Sequence, residues 1–407
     1  MGNNASRLLL YMRLQLLSLT YHKKYKTSKR HFIRKSLLGF KNTATIILRM
    51  VKKSIKAELM NYYNEFDMEA EVPSRQAFSQ AREKISFLAF KDFFDKSCEL
   101  TINSDDARLW REYRLFAIDG TSFAVGKIDK LKETFGSSTT IPDKAMCRIS
   151  AAVDVLNECI ADAAVAPFST GERALFIEQI KRLKNIASAL YLFDRGYWSP
   201  ELINNIIDNK QYFLMRLASN AGKTIVPDAE DNNCILRKFS FALPTGQLET
   251  LLTNLPEDEI SDDELGELYT KRWGAETKYL ELKDRLQIDS FSGESSNIVL
   301  QDIYSTLYIS NLTAFICWEA DEAIKKDKSG NSNLYKQKSN RSFCIQTLRA
   351  RFVYICLLSS ASAIDRALDK LVCDIKREVV YIDKSKPRPR DKRRLKLSRG
   401  LHHNSIL

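Results

Sequence analysis

What most restricts the fold of this chain is the order of its apolar runs between residues 113 and 217. Residues 113–118 (YRLFAI), 145–155 and 159–166 are short, rich in aliphatic and aromatic side chains, and read as strands. An amphipathic helix near 172–184 follows, then a fourth strand-like run at 188–193 (SALYLF), a helix at 200–208, and a further strand candidate at 211–217. Three strands followed by alternating helices and strands make an α/β sheet. Two of the runs end in an aspartate, Asp119 ahead of Gly120-Thr121 and Asp194 ahead of Arg195-Gly196-Tyr197. Open α/β sheets meet their ligands at the carboxyl ends of strands. Each aspartate alone can equally start a turn or a cap, so only their combination carries weight.

A second pattern lies at residues 264–286, ELGELYTKRWGAETKYLELKDRL. Read as one helix at about 100° per residue, it puts Tyr269, Arg272, Glu276 and Lys283 on a face about 60° wide. Beside them Leu268, Ala275, Tyr279, Leu282 and Leu286 form an apolar stripe, so the polar row borders a buried face. Lys283 lies roughly 10 Å along the axis from Glu276, too far for a direct bond but within reach of one extended anion. A solvated face with incidental Glu/Lys pairs produces some of the same pattern.

The spacing Tyr-x2-Arg-x3-Glu-x6-Lys resembles the signature of the insertion sequence 4 family of DDE transposases, and all four residues match. Asp194-Arg195-Gly196-Tyr197 resembles that family's second aspartate motif, and SRQAFSQAREKIS, at 74–86, resembles the region before its catalytic core. The resemblance spans roughly residues 74–320. It implies an α/β, ribonuclease-H-like catalytic core, a mixed sheet flanked by helices, in which Asp119, Asp194 and Glu276 are the catalytic, metal-binding carboxylates. It further implies that Asp119 bridges two divalent ions, Mg²⁺ or Mn²⁺, and that Tyr269, Arg272 and Lys283 hold DNA phosphates. Trp273, adjacent to them, is read either as a base-stacking residue or as a core tryptophan.

The expected domains are a helical, DNA-binding or assembly region at 1–104, the core at 105–320 with a β-rich insertion at about 221–256, a helical C-terminal region at 321–380, and a basic flexible tail at 381–407. The charge supports a polyanionic partner. Residues 22–35 carry seven Lys/Arg and no acid, and residues 384–399 carry a net +8. The chain as a whole is +12, so everything outside these two patches is about −3. Eight cysteines show no metal-ligand spacing and read as reduced residues of apolar segments, as in a reducing cytoplasm. The leucine-rich run at 8–19 and the uncharged run at 303–318 are too short to span a bilayer, so no membrane partner is expected.

The chemistry fits these residue types. In-line attack on phosphorus is served by two divalent ions, and hard Mg²⁺ prefers carboxylate oxygen, so no His or Cys ligand is needed. The four histidines, His22, His31, His402 and His403, all lie in the terminal regions. The leading expectation is a prokaryotic, nucleoid-associated transposase. It binds the terminal inverted repeats of its element as a homodimer on paired ends, cuts DNA through a hairpin intermediate and joins it to target DNA. A transposase-derived DNA-binding regulator without catalysis, and a nuclease or resolvase sharing the core, are the alternatives.

Overall fold

The computed structural model describes residues 3–49, 52, 54–66, 71–218, 236–242, 248–257, 260–327 and 336–382. Six helices come first: α1 (Asn4–Leu17), α2 (Leu19–Tyr25), α3 (Phe40–Arg49), α4 (Ile55–Phe66), α5 (Arg75–Glu83) and α6 (Leu88–Ile102). Then come β1 (Arg114–Gly126), α7 (Asp129–Phe135), β2 (Ser137–Ser138), β3 (Ile141–Asp154), β4 (Cys159–Pro167), α8 (Glu172–Leu183), β5 (Ala189–Phe193), α9 (Pro200–Asp208) and β6 (Tyr212–Arg216). The hairpin β7 (Arg237–Ala242) and β8 (Leu248–Thr253) precedes α10 (Asp262–Thr270) and α11 (Trp273–Leu280). The chain goes on through α12 (Ser296–Asp327), β9 (Lys336–Ser339), α13 (Arg341–Leu357), α14 (Ala361–Ile375) and β10 (Val379–Ile382).

These elements fall into two compact units, one of Met1–Asp106, Ala124–Thr134 and Leu282–Leu407, the other of Ala107–Phe123 and Phe135–Glu281. The second holds the sheet, whose strand order is β2-β3-β1-β5-β6-β8-β7, with β4 paired to β3. β1, β5 and β6 run parallel, and β4 runs antiparallel to β3. The parallel strands are reached by crossovers through α8 and α9, as parallel pairing demands. The order β4-β3-β1-β5-β6 is that of a ribonuclease-H-like core, a mixed sheet flanked by helices. β5, buried at all five positions, is its centre, as a strand covered on both faces must be.

Local chemistry sets the helix starts. Ser74, Ser199 and Ser261 each cap a helix by accepting a backbone N–H, and Ser261 with Glu264 forms a reciprocal capping box. The expected β-rich insertion, where described, is the β7–β8 hairpin, which pairs antiparallel with β6 and so widens the main sheet. Of that stretch 221–235 and 243–247 lie outside the described residues, as does the expected basic tail from 383 onward.

In the helical unit α12 is buried without interruption from Gln301 to Cys317, so it is a core helix and not an amphipathic one. Arg82 of α5, fully buried, donates Nε to Gln301 Oε1 at 3.0 Å and an amino group to Asp302 Oδ1 at 3.0 Å. Asp302 also accepts from Ser292, so its burial is matched by partners. Among the described residues six cysteines are buried and free of disulfides, whereas Cys373 is exposed. Among the described residues no helix is long and apolar enough to cross a membrane.

Candidate active site

The last paired positions of the parallel strands β1 and β5 are Ile118 and Phe193. The next residues are Asp119 and Asp194, so the two aspartates stand on neighbouring strands at one level, the strands being about 4.8 Å apart. Asp119 does not end its strand as expected: β1 continues through Gly120 to Gly126, alongside the fourteen-residue β3. The Asp-Gly pair is therefore extended and not a turn. The space beside Gly120 is taken by the end of the Glu172 side chain, 2.5 Å from where a Cβ would lie, so a larger residue there would displace that carboxylate.

Asp119 accepts a hydrogen bond from the Gly120 amide at 2.9 Å, and the Tyr279 hydroxyl donates to the Asp119 carbonyl oxygen at 2.7 Å, fixing the backbone. Burial pushes the Asp119 carboxyl up to about 6. The Gly120 amide and Arg272 oppose that rise, while Glu172 and Glu276 add to it. Asp194 caps a single 3-10 turn, Arg195–Tyr197, accepting from the Arg195 amide at 2.8 Å, and Arg216 of β6 stands 3.9 Å from its carboxylate.

Glu276 lies in the first turn of α11, and its Oε1 accepts from Arg272 at 2.8 Å. Arg272 is 6% exposed, and its Nε has no partner. Burial works against its charge, but Tyr269, Glu276 and Asp194 more than offset that and hold the guanidinium charged. The Tyr269 ring lies under the guanidinium, 5.9 Å from centroid to carbon, and its buried hydroxyl makes no hydrogen bond of good geometry. Arg272 thus bonds the helix-borne glutamate and acts on the strand-borne aspartates through its charge.

The helix itself differs from the sequence expectation. It is three pieces: α10, then α11, then a π-type turn at Glu281–Arg285. Between the first two the backbone tightens, with Lys271, Arg272, Gly274 and Ala275 amides each bonded to the carbonyl three residues earlier. A single 3.6-residue period therefore does not run from Tyr269 to Lys283. Tyr269, Arg272, Trp273 and Glu276 belong to the unit of the sheet, and Lys283, in the π turn, belongs to the helical unit. Trp273, 49% exposed at the start of α11, is not a core tryptophan.

Three residues here escaped the sequence reading. Glu172, at the start of α8, faces Gly120 and raises the Asp119 carboxyl. Arg216 pairs with Asp194 and with Glu249. Tyr279 was read only as part of an apolar stripe. Its hydroxyl gave a weak signal, since a buried tyrosine needs a partner.

Among the described residues no group of three His, Cys, Asp or Glu is gathered closely enough to hold a metal. Glu276 is engaged by Arg272 and Asp194 by the Arg195 amide. The donor chemistry nevertheless suits a hard cation: a desolvated carboxylate with two further carboxylates raising its proton affinity.

A family model described as "Transposase DDE domain" matches residues 110–312, about half of the chain and the stretch that carries all seven expected site residues. Among curated proteins, the chain is 22% identical over 277 residues to the transposase InsG for insertion sequence element IS4 of Escherichia coli strain K12, covering 61% of this chain and 62% of that one. It is 24% identical over 139 residues to the putative transposase InsZ of the same strain, covering 32% of this chain and 44% of InsZ. The chain thus spans less than two thirds of either relative. A solved piggyBac transposase synaptic complex with hairpin DNA is 14% identical, with 94% of this chain and 87% of that one covered at a TM-score of 0.49. By its matching domain and these relatives, the chain belongs to the DDE transposases, of the insertion sequence 4 type.

Proposed function

We propose that the chain is the transposase of an insertion sequence, cleaving DNA at the element's terminal inverted repeats and transferring the freed ends to a target. The observation that carries this reading is the β1–β5 register, with Asp119 and Asp194 following its last pair, beside a Glu276 bonded to Arg272, whose charge acts on both aspartates. In the proposal Asp119, Asp194 and Glu276 hold two divalent ions, Mg²⁺ or Mn²⁺. Such ions, when bound, supply activation of the attacking oxygen and neutralisation of phosphate charge. Glu276 must exchange its Arg272 partner to take part, and the released guanidinium then becomes free to bind a phosphate oxygen pair.

The remaining groups have roles that follow from their chemistry. The Tyr279 bond keeps the Asp119 backbone from shifting as charge builds beside it. Tyr269 offers a buried hydroxyl donor, Trp273 an exposed indole face for a base, and Lys283 a point charge for the DNA backbone. The exposed Lys23, Lys24, Lys29, Arg30, Arg34 and Lys35 favour nucleic acid on the same chain. Assembly as a homodimer on paired ends and passage through a hairpin belong to the same proposal.

The test uses purified full-length chain, duplex DNA carrying the inverted repeat, and Mg²⁺ or Mn²⁺. End-specific nicking is expected from the wild type, with hairpin products visible on denaturing gels, and none from Glu276→Gln. Nicking that survives this substitution would remove Glu276 from the site. Binding must also weaken steeply with salt, since phosphate contacts release counterions.

A further inference from the structure

The helical unit contains a cavity of about 680 Å³ lined by four cations, Arg49, Lys52, Arg285 and Arg349, with Asp284 the one acid among its described lining residues. Internal pairs engage only part of this donor capacity. Arg49, the last residue of α3, is 7% exposed; one amino group pairs with Glu65, while Nε and the other amino group are buried without partners. Arg349, on α13, has a buried Nε in the same condition. Lys52 Nζ makes no hydrogen bond and stands 3.6 Å from Asp302, which is already shared with Arg82.

Buried donors normally find acceptors, and several unmet on cations around one cavity call for an acceptor that enters from outside. Burial pushes the Arg349 guanidinium down to about 10, Glu58 opposing, and lowers the Lys52 ammonium as well. With four cations and one acid among its described lining residues, the cavity is short of negative charge. We propose that it binds a phosphate group, as a free phosphate compound or as part of a nucleic-acid backbone. A phosphate presents several acceptor oxygens on one centre, which suits a lining that draws one arginine from α3 and another from α13 better than a two-oxygen carboxylate does. Arg285, exposed at the rim, supplies charge for capture. This site shares no residue with the carboxylate cluster, and its proof does not depend on cleavage.

Thermal unfolding of the full chain in sodium phosphate, in pyrophosphate, and in sodium chloride of equal ionic strength tests it. Phosphate and pyrophosphate are expected to raise Tm beyond chloride, and Arg349→Gln to weaken their apparent affinity by about tenfold or more. Ala350 lines the cavity and is exposed, so Ala350→Glu blocks it electrostatically with the core intact, while Ala350→Lys keeps the effect. A phosphate shift no larger than that of chloride, or one unchanged in Ala350→Glu, overturns the proposal. A duplex oligonucleotide added to the same titration separates the sources. Displacement of phosphate by duplex assigns the group to a backbone, and undisturbed phosphate binding assigns it to a free compound; both keep the site.

Discussion

Arg272 bears on every carboxylate of the candidate site: it bonds Glu276, and its charge is felt by Asp119 and stabilised by Asp194. Replacing it by glutamine leaves Glu276 and the buried Tyr269 without their cation. Cleavage by Arg272→Gln is expected to fall by about a hundredfold or more, with a loss of about 1–3 kcal/mol in stability, as for a partly buried charged hydrogen bond. Single-turnover nicking and urea unfolding measure the two effects separately. Asp119 should behave in the opposite sense for stability. Its carboxylate is desolvated beside two like charges, so Asp119→Asn should abolish cleavage yet raise Tm in chelator-containing buffer near neutral pH. A lower Tm would mean that Asp119 serves the fold. Both aspartates were legible in the sequence because each follows an apolar run directly. Glu172 and Arg216 were not, because what brings them to the site is strand and helix placement that no local pattern announces.

Among the elements, α10 and α11 show where a period fails. The apolar stripe located Leu268, Ala275 and Tyr279 correctly as buried residues, yet the tightened turn at Lys271–Arg272 and the π turn were invisible to a constant 100° step. Gly274 explains the close seating of α11 on the sheet, since a Cβ there would meet Val155 Cγ1 at 2.8 Å. Gly274→Val is therefore expected to cost about 1–3 kcal/mol by overpacking, and Gly274→Ala to be relieved by Val155→Ala. A double-mutant cycle in urea without coupling would discount this contact. On α12, burial pushes the Glu319 carboxyl up to about 7, with Asp369 and Asp365 adding to the rise. A raised folded pKa means that the protonated form stabilises the fold. Its contribution is complete below about pH 4 and is lost as pH rises through about 7. Glu319→Gln should remove this slope, so its Tm relative to wild type should climb between pH 5 and 8.

Across the whole molecule, the unit of the sheet takes its strands from 114 to 253, a span whose order was readable because each strand is a local run. The helical unit takes its parts from three separated stretches, and nothing local says that residues 1–106 and 282–407 share one core. α12 is what joins them: α1, α3, α5 and α6 from the first stretch and α13 and α14 from the last all pack on it. Its Asp302 depends on Arg82 and Lys52, both from the first stretch. Removing residues 1–106 would therefore uncover the faces of α12 between Gln301 and Cys317 and strip a buried carboxylate of both its cations. Breaking a buried pair from one side costs about 3–5 kcal/mol by itself, against a total stability of about 5–15 kcal/mol. Residues 107–407 expressed alone should accordingly aggregate, and co-expression of residues 1–106 as a separate chain should recover soluble protein. Within the full chain, Arg82→Leu should lower stability by a similar 3–5 kcal/mol, whereas Arg82→Lys, which keeps the charge but not the fork to Gln301 and Asp302, should fall between the two. A monodisperse, cooperatively melting 107–407 fragment would show instead that the last stretch holds its own core, and that the first packs on it without being needed for it.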